Sequence, residues 1–282
     1  MRAVVVLLVL IFLSGCQLAK IVTTSKIHPD VDEIKQQDGI LAITEINNTR
    51  ISGLPETVTN LCESGQPKAF AAAIWVPIAA KVVVDVVTGA VTDYVKRIKS
   101  ESSRSVTFKT VVMSGSLIEA NCIALVRGDE KNPSAVVVLK VEVFGEKGFT
   151  LQPIFARLNR TVSLTKCTAN CGDKTKSEGQ VNMVVAVSGS AADGTLKDLG
   201  TGATTIRGLS IRAQTVNVTQ GVGAPTSLIA LPAANIPVQL SVSMADMGNV
   251  AGDPDIALGE VQAAMAALKE GAVAEVSAHY KD

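Results

Sequence analysis

"SAVVVLKVEVFGEKGFTLQPI", residues 134–154, reads as two strands and the turn that joins them. Leu139, Val141 and Val143 fall on one face and Lys140 and Glu142 on the other, the period of two that a half-buried strand requires. Gly145-Glu146-Lys147-Gly148 is a four-residue hairpin loop with a glycine at each end. The apolar pattern then resumes from Phe149 to Ile154.

The same period extends outward from this hairpin. Strand-like runs occupy 106–111, 157–166, 181–188, 204–218, 227–231 and 236–245, separated by Gly- and Pro-containing turns. Ser114-Gly115-Ser116, Ser188-Gly189-Ser190 and Gly200-Thr201-Gly202 read as turns or loops. Residues 27–65 read as an irregular N-terminal layer, with weak alternation over 40–46 and a turn at Asn47-Asn48. Many short strands of this kind point to an antiparallel sandwich or layered sheet.

Two stretches add helix to that expectation. In "AFAAAIWVPIAAKVVVDVVTGAVTDYVKRIKSE", residues 69–101, the valines favour strand, but Lys81, Asp85, Thr88, Thr92, Lys96 and Lys99 recur at intervals of three and four. That is one narrow polar stripe on a helix, with Lys96, Arg97 and Lys99 at the end that suits cations. The spacing predicts one long central helix over about 70–99, bent near Pro77 and buried under the sheet. Asp253-Pro254-Asp255 is a helix start, and Ile256, Val261, Met265 and Leu268 continue it over about 254–269 before Gly271. The expected fold class is therefore α+β: a β-rich antiparallel layered sheet or sandwich, one long central helix and a C-terminal helix.

The chain begins with Arg2 and an apolar run from Ala3 to Leu13, the layout of an export signal and too short for a membrane span. It closes on Leu13-Ser14-Gly15-Cys16, which resembles the lipobox of bacterial lipoproteins. The resemblance covers this segment alone. It implies that the Cys16 thiol takes a diacylglycerol, that residues 1–15 are removed as a signal peptide, and that the new amine is acylated with a chain such as palmitate. Two or three acyl chains make a firm membrane anchor where one is marginal. Asp after the cysteine tends to hold such proteins at the inner membrane; Gln17 stands there instead, which resembles the outer-membrane case, facing the periplasm or the outside. Residues 16–26 form a lipidated tether, about 30 Å if fully extended, and residues 27–282 a single mature domain.

Four further cysteines, Cys62, Cys122, Cys167 and Cys171, would enter an oxidising compartment, where disulfides are the default. Cys167 and Cys171 enclose three residues in a polar stretch and suit a local staple across a hairpin tip, leaving Cys62 to pair with Cys122. A metal site is disfavoured, because no second close cysteine pair or nearby histidine completes it.

Composition excludes several functions. Lys+Arg and Asp+Glu are both 26, so the loss of Arg2 leaves a slight acidic surplus and no basic surface for nucleic acid. Aromatics are 3%, which argues against sites that stack sugars or bases. The two histidines, His28 and His279, sit near the chain ends, so neither is placed for a catalytic triad. Ser163-Leu164-Thr165-Lys166 matches S-x-x-K, but in a strand-like run and without its companion motifs. The acidic groups Asp30, Asp32, Glu33 and Asp253, Asp255, Glu260 lack a calcium-loop spacing. No catalytic residue, cofactor or metal ligand is assigned.

These observations lead to the expectation of a lipid-anchored exported envelope protein, a non-enzymatic binding or assembly component. Its partners would be the membrane through Cys16 and a protein partner or a homo-oligomer. Two alternatives stay open: a membrane-perturbing or pore-related protein that deploys residues 69–95, and a carboxylate-dependent hydrolase of envelope material.

Overall fold

The computed structural model of the chain describes residues 25–28, 51, 53–63, 103–129, 132–173, 176–193, 195–231 and 236–248. Its strands are β1 (Lys26–Ile27), β2 (Ser103–Met113), β3 (Cys122–Asp129), β4 (Asn132–Val143), β5 (Phe149–Leu158), β6 (Thr165–Ala169), β7 (Glu178–Asp193), β8 (Thr195–Ser210), β9 (Ala213–Val216) and β10 (Pro237–Gly248). Two short helices are described, α1 (Glu56–Glu63) and α2 (Ser114–Glu119).

The strands form two antiparallel sheets. Sheet I runs β1-β6-β7-β10-β2, with β8 on the other side of β7; sheet II runs β3-β4-β5-β9. Strand periodicity explains how they close on each other. Val181, Met183, Val185 and Val187 of β7 and Val238, Leu240, Val242 and Met244 of β10 join Ile123, Leu125, Val137, Leu139 and Leu151 of sheet II in one buried core. Burying a Val, Leu or Met side chain of this kind stabilises by about 1.5–3 kcal/mol.

Sheet II is apolar on both faces, which is why β4 carries Val136-Val137-Val138-Leu139 without a polar interruption. Its outer face, with Cys122, Ala124, Val126, Val136, Val138 and Phe155, packs under Ile51 and Val58. Val58 lies on α1, whose first turn carries Glu56, an acid where the helix dipole favours one. On the outer face of sheet I, Val184, Ala186, Ala245 and Met247 make a small cluster of their own.

Irregularities fall where the chain must bend. The β4–β5 register shifts between Val138 and Leu139, so Ile154 is an extra residue on β5 beside Pro153, a place where a strand tolerates proline. After Ser210 the chain turns at Arg212, which has a positive φ of 66°, and passes from sheet I to β9 of sheet II. Ile211 N donates to Gly179 O and Arg212 N to Leu158 O, one bond to each sheet.

The α+β expectation is corrected: among the described residues the fold is mostly β, 62% strand and 9% helix. Strand side chains from both sheets fill the space between the layers that a central helix was expected to cover, and the stretches expected to be helical at 70–99 and 254–269 lie outside the described residues. Local readings are corrected as well. Ser188-Gly189-Ser190 and Gly200-Thr201-Gly202 lie inside β7 and β8, because paired neighbours hold glycine in a strand despite its weak preference. Ser114-Gly115-Ser116 opens α2. The run 204–218 divides between two sheets, and β3 and α1 had no separate signal. Of 227–231, the described pairing is the single bridge of Ile229 with Phe149. The hairpin of 134–154 is as expected, with Phe144 N donating to Gly148 O at 2.8 Å.

Candidate functional site

All four cysteines beyond Cys16 are disulfide-bonded, in the expected pairs. Cys62 and Cys122, with Cα atoms 5.4 Å apart and a sequence separation of 60, tie the last turn of α1 to the start of β3. Asn121 Nδ2 donates to Cys62 O at 3.2 Å beside the bridge. Cys167 and Cys171, with Cα atoms 5.7 Å apart, close the turn that follows β6. Asn170 takes a positive φ of 56° within that turn, a conformation that asparagine tolerates.

The chemistry-bearing cluster that the sequence did not reveal lies between the sheets. Arg127 of β3 and Asp246 of β10 form a two-pronged ion pair, Nη1 to Oδ1 at 2.9 Å and Nη2 to Oδ2 at 3.0 Å. Their exposures are 4% and 0%. Asp246 Oδ2 also accepts from Val162 N at 2.9 Å and from Thr161 Oγ1 at 3.2 Å. Arg127 Nε donates to Ser134 Oγ at 3.1 Å and Nη2 to Arg160 O at 3.0 Å. The carboxylate has its counter-ion and its donors in place, so this cluster is equipped to lock two sheets and a loop, not to move protons. In the sequence, the two partners are separated by 119 positions, and no local pattern links them.

The other candidates are not brought together. Ser163 is buried, with its Oγ 3.2 Å from Thr161 Oγ1, whereas Lys166 lies exposed on β6, so the S-x-x-K residues do not share a helical face. His28 is exposed beside β1. Cys16, His279 and both acidic groups (Asp30, Asp32, Glu33 and Asp253, Asp255, Glu260) lie outside the described residues. Among the described residues, no group of three His, Cys, Asp or Glu side chains is placed to hold a metal ion, and no helix is long and apolar enough to cross a membrane. Arg157, on the outer face of sheet II, donates to Gly53 O at 3.3 Å, and burial lowers its pKa from the ordinary arginine value.

The two ends of the sandwich differ. At one end β1 pairs with β6, Lys26 opposite Lys166, close to the Arg127–Asp246 pair. At the other end lie the β4–β5 hairpin, the Ile229–Phe149 bridge and the paired Met113 and Pro237. Val111, Met113, Val143, Phe144 and Leu228, five of the large apolar residues that remain exposed, are all towards this second end. Val216, also exposed, is on the β9 edge. These positions are the exposed large apolar side chains among the described residues.

No family model matches the chain, and no curated protein is similar to it. Among solved structures, TmCBM61 in complex with beta-1,4-galactotriose aligns over 52% of this chain and 84% of its own, at 9% identity. The TM-score of 0.11 is too low for that likeness to carry an argument.

Proposed function

We propose that the chain is a lipid-anchored exported protein of a bacterial envelope, fastened through Cys16, that works as a binding or assembly component and not as an enzyme. The observation that carries this reading is the pair of disulfides, Cys62–Cys122 and Cys167–Cys171, in a chain whose first cysteine closes a lipobox. Disulfides persist in exported compartments and are rare in the cytosol. Gln17 in place of Asp favours the outer membrane.

The arrangement of the ends supports the same reading. β1 lies at the end of the sandwich remote from Val111, Met113, Val143, Phe144 and Leu228. Strands of about ten residues span roughly 33 Å, which separates β1 from those apolar side chains, the surface offered to a partner. The Arg127–Asp246 cluster is saturated by its own contacts, which favours a structural over a catalytic use of its charges.

Mass spectrometry of the native product tests the anchor. The expected N-terminus is Cys16, with a mass above that of the polypeptide by two or three acyl chains. A product that starts elsewhere, or that carries no added mass, overturns the anchor. Crosslinking in the native cell then tests the binding role by identifying what is held against the second end.

A further inference from the structure

The two disulfides stand in different surroundings. Cys62–Cys122 is set into the apolar layer on the outer face of sheet II: Cys122 is 3% exposed, and Cys62 packs against the cluster that holds Ile51 and Val58. In Cys167–Cys171, Cys167 is buried but Cys171 is exposed, with exposed Gly172 beside it. A thiolate opens a disulfide by attacking one of its sulfurs, so access to a sulfur governs the rate. The thiol that leaves is also provided for. Cys167 Sγ lies 3.2 Å from Ala169 O, an acceptor for the proton this sulfur carries once it is reduced.

The strand that carries this bridge also carries β1. Cys167 N donates to Ser25 O at 2.8 Å, and Lys26 and Ile27 pair with Lys166 and Thr165 of β6. Ile27 reaches across β6 to β7: a Cβ on Gly179 would stand 2.9 Å from Ile27 Cδ1, so the bare glycine leaves the room that Ile27 uses. The ladder of β6 with β7 is short and irregular. Cys167 pairs with Gly179 and Ala169 with Glu178, which leaves Thr168 as an extra residue between them. The turn beyond keeps bonds of its own, Ser177 N and Oγ to Asp173 O at 2.8 and 2.6 Å, so opening the bridge loosens β6 without unfolding the turn.

We infer that Cys167–Cys171 is a reducible latch on β1: a dithiol reductant opens it while Cys62–Cys122 stays closed, and its opening frees β1 from β6. A thiolate of the reductant attacks Cys171 Sγ, forms a mixed disulfide there and expels Cys167 Sγ, which takes up a proton and bonds to Ala169 O. The second thiol of the reductant then attacks the mixed disulfide and expels Cys171. The dithiol leaves as a disulfide, and two electrons and two protons pass to the cysteines. Neither Cys167 nor Cys171 belongs to the three buried apolar clusters, so the body of the sandwich stays folded when they part. Cys122 does belong to one, so the same reaction at Cys62–Cys122 must first disturb a packed layer.

The inference goes beyond the role proposed above and does not depend on Cys16. The test uses the full chain, produced in an exporting host with both bridges formed and purified in detergent. It is treated with dithiothreitol, and timed samples are blocked with iodoacetamide and read by mass spectrometry. Cys167 and Cys171 are expected to open about tenfold faster than Cys62 and Cys122, or more. In the sample with that bridge alone open, hydrogen exchange should quicken about tenfold or more in the peptide that covers Ser25–Ile27, while β7 and β10 keep theirs. Cys167→Ser/Cys171→Ser, which never closes the latch, should show the same fast exchange with no reductant present. Two bridges that open together, a Cys62–Cys122 bridge that opens first, or unchanged exchange at Ser25–Ile27 in either open form would overturn the inference. The N-terminal mass is read in the same runs. A start other than Cys16 removes the anchor and leaves the latch standing; a lipidated chain with an inert Cys167–Cys171 bridge does the reverse.

Discussion

Arg127 and Asp246 meet as a sealed two-pronged ion pair that joins β3 of one sheet to β10 of the other, with both contacts at 3.0 Å or less. Asp246 also holds the backbone of Val162 and the hydroxyl of Thr161, so one carboxylate fixes two layers and a loop. Removing one member of a buried pair strands the other, at about 3–5 kcal/mol, whereas replacing both by apolar residues of similar volume is often close to neutral. Asp246→Ala is therefore expected to destabilise by about 3–5 kcal/mol in urea unfolding. Arg127→Met/Asp246→Leu should recover most of that loss. A single variant that unfolds at the native midpoint would show that the pair contributes nothing.

The two disulfides should differ in strength. A cross-link stabilises chiefly by restricting the unfolded chain, and more so for a longer loop. The Cys62–Cys122 bridge spans 60 residues and Cys167–Cys171 only 4, which gives about 4 and 2 kcal/mol on the loop-entropy relation. Cys62→Ala/Cys122→Ala should lower the denaturation midpoint clearly more than Cys167→Ala/Cys171→Ala. The first pair also holds α1 over the outer face of sheet II, so its loss should expose the cleavage sites around residues 53–63 to protease.

Hairpin glycines give a local test. Gly145 has a positive φ of 57° and open space where a Cβ would stand, so Gly145→Ala carries only a backbone cost of about 1 kcal/mol. At Gly148, φ is 151° and a Cβ would lie 2.3 Å from the carbonyl oxygen of Ile229, a backbone atom that cannot swing aside. Gly148→Ala must open the Phe149–Ile229 bridge and is expected to cost about 2–4 kcal/mol. Thermal melts of the two variants side by side should show the difference, and equal melting temperatures would contradict this account of the turn.

What was legible in the sequence follows from range. The alternation of Leu139 to Val143 and the paired glycines at 145 and 148 are local signals, and the hairpin they specify is present. Cysteine pairing was legible because Cys167 and Cys171 enclose only three residues in a polar stretch, which suits a local staple and leaves Cys62 for Cys122. The α+β class was not, because it rested on residues 69–101 and 253–271, whose helical spacing says nothing of what fills the core. β3 gave no alternation because it is buried on both faces, and Ser188-Gly189-Ser190 looked like a turn because glycine's preference is weaker than the pairing on either side. The Arg127–Asp246 pair depends on a register between sheets, which no local pattern encodes.

The proposed anchor at Cys16 gives the last prediction, and it follows from the chemistry of one sulfur. Each buried CH₂ of an acyl chain contributes about 0.8 kcal/mol, so one chain holds a protein marginally and two or three hold it firmly. Lys+Arg and Asp+Glu are both 26, so the chain has no net positive charge to supplement the proposed anchor on anionic lipid. Attachment should therefore depend on Cys16 almost wholly. Cys16→Ser is expected to move the protein from the membrane pellet to the soluble fraction, or to leave it unprocessed with residues 1–15 in place. The folded body should be unaffected, because the first described strand begins ten residues later, at Lys26. Cell fractionation with a mass measurement checks both halves. A Cys16→Ser protein that is processed, folded and still membrane-bound would mean that another part of the chain holds it there.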